Sequence, residues 1–249
     1  MTRDYEEYLK DDNLHINWYP GHMKKTKEMV QNNLKLVDVV IELLDARIPL
    51  SSKNPEIDKL AQNKPRVVVL NKSDLSDKAK LNKWISYYQS KGIKAIPVDT
   101  LKGNGVNKIV EECKNATKEK MDALKEKGRK ERAIRVMIVG VPNVGKSSLI
   151  NKLTGRKSTQ TGDRPGVTKG KQWVRLKGNL ELLDTPGILW PKFEDQKIAL
   201  NLAFTRAIKD EILDIDTLGL KFIEKMSEIE PEKLKVRYKL DSLGEEPLE

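Results

Sequence analysis

A glycine-rich segment in the middle of the chain has the residue types of a phosphate-binding loop. Residues 140–147 read GVPNVGKS, which fits the pattern GxxxxGKS. The segment follows the apolar run Ile134–Val139 and opens a helical pattern, so backbone N–H groups and a helix start would face phosphate oxygens. We expect Lys146 to reach the β- and γ-phosphates and to be catalytic, and the Ser147 hydroxyl to bind Mg²⁺. The residues expected to contact phosphate are Asn143, Val144, Gly145, Lys146, Ser147 and Ser148.

A second motif, earlier in the chain, has the residue types that recognise guanine. Asn71, Lys72, Ser73 and Asp74 read NKSD and follow the apolar run Val67–Leu70. The Asp74 carboxylate can accept hydrogen bonds from guanine N1–H and the 2-amino group, and Lys72 can lay its stem along the base. Adenine would leave a buried carboxylate unpaired, a difference worth roughly 10⁴–10⁵ in discrimination. Taken alone, NKSD also fits an ordinary turn and helix cap.

A third motif, DTPG at residues 184–187, comes last. Asp184 ends the apolar run Leu180–Leu183, so we expect its carboxylate to hold Mg²⁺ and the Gly187 N–H to contact the γ-phosphate. Thr168 is predicted to close on Mg²⁺ and the γ-phosphate, in preference to Thr159 and Thr161. An Asp before a Pro-Gly turn is common loop chemistry, and the spacing from the phosphate loop is what favours a switch.

A fourth position follows the run Lys94–Val98. There Asp99 and Thr100 occupy the place of a loop that backs the base. This match is one of position and not of residue type.

The segments around these motifs predict an α/β fold. Short apolar runs alternate with helical patterns, which is typical of a doubly wound, mostly parallel sheet with helices on both faces. The predicted strands are Val37–Leu44, Val67–Leu70, Lys94–Val98, Ile134–Val139 and Leu180–Leu183, with Gln172–Leu176 as an antiparallel edge strand. Only helical patterns follow Pro191. We therefore predict an N-terminal extension (1–21), a nucleotide-binding domain (22–190) and a small all-α C-terminal domain (191–249).

Composition narrows the class of protein. No apolar run is long enough for a membrane span, and the single cysteine, Cys113, fits a reducing, cytoplasmic compartment and a structural role. The net charge is +10, although residues from Asp195 onward include 9 basic and 13 acidic side chains. The positive part of the chain suggests a polyanionic partner such as RNA, and a solvated lysine-rich surface explains the charge equally well.

The order of the motifs resembles that of the circularly permuted GTPases of ribosome assembly. NKSD precedes the phosphate loop, PGVT and DTPG follow it, and the match is closest to the ribosome biogenesis GTPase A family. Residues 17–23 (NWYPGHM), 45–49 (DARIP) and 183–194 (LDTPGILWPKFE) add to the likeness. The resemblance implies a P-loop GTPase fold, binding of GTP and GDP, and a role with the precursor of the large ribosomal subunit and its rRNA.

The resemblance also bears on catalysis. Ras-like enzymes orient the attacking water with a Gln after DxxG, but this chain has Ile188 there. The resemblance points instead to His22, in the PGHM turn, although His22 could simply cap the helix that follows. In related GTPases an Asn at the position of Asn143 helps to bind K⁺.

Two other classes of function stay open. One is a metabolic P-loop enzyme such as a kinase, which a preference for ATP would indicate. The other is a nucleotide-responsive RNA-binding protein with negligible catalysis, which the apolar Ile188 favours.

Overall fold

The computed structural model of the protein describes residues 23–61, 64–155, 173–183, 195–208 and 214–244. These residues form two compact units, of which one contains the described residues up to Leu183 and the other those from Asp195 onward. The two predicted domain boundaries, after residue 21 and after residue 190, lie outside the described residues and stay predictions.

The larger unit is built on a six-stranded sheet in the order β3-β2-β1-β4-β6-β5. The strands are β1 Val39–Asp45, β2 Arg66–Asn71, β3 Lys94–Val98, β4 Ile134–Val139, β5 Trp173–Leu176 and β6 Leu180–Leu183. All neighbours run parallel except β5, which pairs antiparallel with β6. The predicted α/β fold with an antiparallel edge strand is confirmed. In this register Asp45 lies beside Asn71, so two polar side chains end adjacent strands.

Helices connect these strands. Their bounds are α1 Met23–Leu34, α2 Pro49–Ser52, α3 Pro55–Leu60, α4 Lys78–Ser90, α5 Val106–Glu126 and α6 Lys146–Thr154. One apolar cluster joins α1 and α3 to β1 and β4, a second joins α4 to β1 and β2, and α5 packs against β1 to β4. Every residue of β1 is buried, as expected for a strand covered on both faces.

Local signals explain where the helices begin. The Asn54 side chain accepts from the Glu56 N–H at the start of α3, and the Asp77 side chain accepts from the Lys80 N–H at the start of α4. Helix α6 begins after Gly145, whose φ of 108° favours glycine. The Cys113 side chain, on α5, is buried. Burial raises the pKa of its thiol to about 12, which agrees with the predicted structural role.

Among its described residues, the smaller unit contains helices and no strand. These are α7 Gln196–Phe204, α8 Ile215–Ile229 and α9 Pro231–Tyr238. Asp195 and Asp214 cap α7 and α8, and the rings of Phe204 and Phe222 meet edge to face at 5.3 Å. In the described part of the chain, no helix is long and apolar enough to cross a membrane.

Candidate nucleotide-binding site

The phosphate loop lies between β4 and α6, as its sequence context predicts. Gly140 follows β4, Gly145 caps α6, and Lys146 is the first helical residue. The Lys146 ammonium donates to the carbonyls of Gly140 and Val141, both at 3.1 Å, so it is held against the start of the loop backbone. Ser147 and Ser148 follow in the first turn of α6 and are half-buried, where a helix N-terminus attracts anions.

Two glycines of the loop are required by close contacts. A Cβ on Gly140 would come within 2.5 Å of the Leu43 carbonyl oxygen, a backbone atom of β1. A Cβ on Gly145 would come within 2.3 Å of the Asn71 side-chain nitrogen, in a backbone conformation that L residues rarely adopt. The pattern GxxxxGKS therefore reflects packing of the loop against its neighbours as well as access to phosphate.

The first residue of NKSD joins three segments of the site. The Asn71 side-chain amide donates to the Val144 carbonyl at 2.7 Å and accepts from the Thr100 N–H at 3.3 Å. Asn71 and Thr100 are both buried. One side chain thus connects the phosphate loop to the loop after β3, and its bond to Val144 spans 73 residues of sequence.

Lys72 makes the second connection to the phosphate loop. Its backbone is left-handed, with φ of 58°, and its ammonium donates to the Asn143 carbonyl at 3.0 Å. Asn143 is also left-handed, with φ of 55°, and it is exposed at the tip of the loop. The same ammonium lies 3.0 Å from Oδ2 of Asp45.

Asp45 is a residue of this site to which the sequence analysis assigned no role. It is buried at the end of β1, and Arg47 holds it through its backbone N–H (3.1 Å), its Nε (2.9 Å) and its Nη2 (2.6 Å). Burial by itself raises the pKa of this carboxyl, but Arg47 and Lys72 outweigh that effect and hold the pKa below its usual value. The available signal was an Asp at the end of an apolar run with Arg two residues later.

The other base-site residues lie on the loops after β2 and β3. Ser73 and Asp74 begin a 3₁₀ turn that ends at Leu75, and the Asp74 side chain is exposed. Asp99 is buried, and its Oδ1 accepts from the N–H groups of Leu101 and Lys102 at 3.0 and 3.1 Å. Thr100 sits beside Gly145, so the two loops meet at the phosphate loop.

Four predicted site residues lie outside the described residues. They are His22, Thr168, Asp184 and Gly187. Strand β6 ends at Leu183, immediately before Asp184, and pairs with β4, which leads into the phosphate loop. Within the described ranges no group of three or more His, Cys, Asp or Glu side chains could hold a metal ion. A serine hydroxyl at the start of α6 is nevertheless a hard oxygen ligand of the kind that Mg²⁺ prefers.

Known proteins resemble this chain over most of its length. Residues 135–242 match a domain family described as 50S ribosome-binding GTPase. The chain is 51% identical over 234 residues to ribosome biogenesis GTPase A of Bacillus cereus, which covers 94% of this chain and 79% of that protein. The chain belongs to the ribosome biogenesis GTPase A family. A more distant relative of that name, from Thermotoga maritima, is 35% identical over 199 residues, or 80% of this chain and 69% of that protein.

Solved structures agree with this assignment. The GTPase fold is similar to that of GNP-bound YlqF from T. maritima, with a TM-score of 0.60 and 28% identity over 82% of this chain and 75% of that one. The GDP-bound form of the same protein gives a TM-score of 0.58. The resemblance inferred from motif order is thereby confirmed, and the chain is a GTPase of that fold. Enzymes of this class work with Mg²⁺.

Proposed function

We propose that this GTPase binds GTP and GDP where β1, β2 and β4 end, hydrolyses GTP, and acts in assembly of the large ribosomal subunit. The observation that carries the nucleotide proposal is the double connection from NKSD to the phosphate loop. Asn71 reaches the Val144 carbonyl and Lys72 reaches the Asn143 carbonyl, and this contact between the two motifs supports a single nucleotide site. Family membership supports the ribosomal role.

The decisive experiment measures GTP turnover in K⁺ buffer with and without purified large ribosomal subunits. We expect slow turnover alone, because Ile188 cannot orient water, and clear stimulation by the subunit. Turnover that stays negligible with the subunit would favour a nucleotide-responsive RNA-binding protein. Asp74→Asn should weaken GTP and improve xanthosine triphosphate binding, and unchanged GTP affinity would contradict the base site.

The metal ions are assigned to separate groups of residues. Ser147, Thr168 and Asp184 would hold Mg²⁺, which neutralises charge on the β- and γ-phosphates. Asn143 would contribute to K⁺ binding, and its exposed position at the tip of the phosphate loop supports this role. Turnover should rise when Na⁺ is replaced by K⁺, and Asn143→Ala should abolish the difference. A K⁺ effect of unchanged size in that variant would rule Asn143 out.

His22 is proposed to orient or polarise the attacking water, since an imidazole can do so near neutral pH. His22→Ala should lower turnover and leave GTP affinity unchanged. Equal loss of turnover and affinity would instead indicate a structural role for His22.

A direct contact with rRNA is supported by the surface of α4 and β3. Residues 78–98 include five lysines and no acidic residue. Lys80, Lys83, Tyr87 and Lys91 are exposed and are spaced as one helical face, which we call the α4 lysine face. The Tyr87 side chain is 47% exposed, and the Lys91 ammonium lies 6.0 Å from its ring centre. Lysines around an exposed ring suit phosphates and a stacked base of single-stranded RNA.

A matched pair of variants tests the α4 lysine face. Lys80→Glu with Lys83→Glu reverses two charges there, and Lys114→Glu with Lys118→Glu reverses two exposed charges on α5, near Glu111 and Glu119. The first pair should weaken binding to the large subunit at least ~10-fold and reduce the salt dependence of binding. GTP affinity should be unchanged in both. Equal weakening by the two pairs would mean that only overall charge matters.

A further inference from the structure

The Lys72 ammonium lies between two oxygen atoms from different parts of the chain. The Asn143 carbonyl belongs to the phosphate loop and Oδ2 of Asp45 belongs to β1, and each is 3.0 Å from Nζ. The Lys72 side chain is long and flexible, its ammonium has three donors that can rotate, and its backbone is left-handed. Whatever holds its ammonium in place therefore also holds the tip of the phosphate loop.

Asp45 is itself fixed from several sides. Arg47 binds both carboxylate oxygens, and the Asp45 N–H donates to Oγ of Ser52 at 3.0 Å. Ser52 Oγ in turn donates to the Ile48 carbonyl at 3.0 Å, which closes the turn after β1. The Asp45 carboxylate is thus an ionised hydrogen-bond acceptor held in a fixed position at the carboxyl end of β1. Register pairs it with Asn71, the last residue of β2, and Lys72 is the next residue after that strand.

We infer that Asp45 is a positioning residue for nucleotide binding, which acts by holding the Lys72 ammonium against the phosphate loop. This inference rests on the proposed nucleotide site and adds to it a residue outside the three nucleotide motifs. Arg47 serves the same purpose one step further away, because its bonds are to Asp45. Without the Asp45 charge, we expect the Lys72 ammonium to turn toward water and to lose its bond to the Asn143 carbonyl.

The residue just before β1 provides an internal comparison. Asp38 is as buried as Asp45 and accepts from Arg132 (2.7 and 2.9 Å) and from the Arg135 N–H (2.9 Å). Lys120 lies 2.7 Å from it. Asp38 is therefore a buried, ion-paired aspartate whose described partners lie on α5, on β4 and in the segment before β4, and none of these belongs to NKSD or the phosphate loop. Its loss should affect stability and not nucleotide affinity.

The experiment compares Asp45→Asn with Asp38→Asn. Urea denaturation measures stability, and a fluorescent GDP analogue measures the dissociation constant and the off-rate. Both variants should lose stability. Only Asp45→Asn should weaken GDP binding, by ~10-fold or more, as expected when a hydrogen bond to a charged group is lost. Asp38→Asn should bind GDP within about twofold of the wild type, since it breaks no bond of that kind at the site.

A double-mutant cycle with Lys72→Met separates positioning from a general structural effect. If Asp45 acts through Lys72, Asp45→Asn should add little to the loss already caused by Lys72→Met. If Asp45→Asn does not fold, Arg47→Gln replaces it, and its smaller loss of affinity should likewise vanish beside Lys72→Met. Additive losses, or equal affinities for the Asp45 and Asp38 variants, would overturn the inference. Wild-type protein that failed to bind GDP would instead overturn the proposed function.

Discussion

At the scale of single residues, the Asn71 side chain contributes most to the geometry of the site. It is buried, its amide nitrogen donates to the Val144 carbonyl, and its oxygen accepts from the Thr100 N–H. Both partners are backbone groups, one on the phosphate loop and one on the loop after β3. A side chain that satisfies buried backbone groups on two loops is costly to remove, because each group left without its partner keeps its desolvation penalty.

Replacing this side chain should affect stability and affinity together. Asn71→Ala should lower the free energy of unfolding by about 2–3 kcal/mol, since two buried hydrogen bonds are lost. GDP affinity should also fall, because the Val144 and Thr100 loops are no longer connected. Urea denaturation and fluorescent-nucleotide titration measure the two effects.

A suitable control is Asn54→Ala, at the start of α3. Asn54 is also buried, and its side chain accepts from the Glu56 N–H. Loss of this helix cap should cost about 1 kcal/mol of stability with no change in GDP affinity. An Asn71 variant that behaved like the Asn54 variant would show that the side chain stabilises the fold without organising the nucleotide site.

At the scale of elements, β1 contains a carboxylate within its apolar run. Glu42 is 1% exposed, and its Oε2 lies 3.2 Å from an Arg66 nitrogen. Neither carboxylate oxygen accepts a hydrogen bond from the described residues. Burial raises the pKa of Glu42 from 4.5 to about 7, against the opposing charges of Arg66 and Lys53. Arg66 also binds the partly exposed Asp58 of α3, so one ion cluster joins β1, β2 and α3.

The raised pKa makes Glu42 a source of pH-dependent stability. The stabilising contribution of the Glu42 carboxyl is fully present below pH 4.5, which is its pKa in the unfolded chain. This contribution is lost as the pH rises through about 7, its pKa in the folded protein. Glu42→Gln should therefore be more stable than the wild type at pH 8.5 by about 2–3 kcal/mol, with the difference shrinking toward zero at pH 5. Urea denaturation at the two pH values measures this. A difference that did not depend on pH would show that Glu42 is ionised in the folded protein at both.

At the scale of the whole molecule, the order of motifs decides which segment follows the switch motif. DTPG leads through residues 188–194 to the helical unit that begins at Asp195, whereas the base motif lies in the first third of the chain. Within the helical unit Leu234 is buried and the Phe204 ring packs on the Phe222 ring. Ordering of the switch by a γ-phosphate is therefore expected to be transmitted to helices α7 to α9.

Hydrogen exchange tests this expectation directly. Amides of α8, Ile215–Ile229, should exchange at different rates with a non-hydrolysable GTP analogue and with GDP. Amides of β1 and β2 should be protected about equally by both nucleotides, because we propose that both bind between the ends of these strands and the phosphate loop. They serve as the internal reference. Equal protection of α8 in the two states would contradict a switch that acts on the helical unit.

Much of the fold was predictable because its signals are local. Apolar runs predicted the strands to within two residues, as for Lys94–Val98 and Ile134–Val139. The predicted start of β1 at Val37 was two residues early, since Val37 and Asp38 are buried but precede the paired strand. The phosphate loop was predictable for the same reason, because its glycines, lysine and serine are consecutive.

The sequence by itself determined the elements, the parallel sheet with its antiparallel edge, and the guanine-nucleotide motifs in permuted order, because neighbouring residues specify each of these. Only the tertiary structure decided how the motifs are held together. The contacts of Asn71 with Val144 and of Lys72 with Asn143 span more than 70 residues, and Asp45 meets Lys72 only because β1 and β2 are adjacent in register. Such contacts depend on strand order and on the direction of each side chain, and neither is encoded in the spacing of residues along one segment.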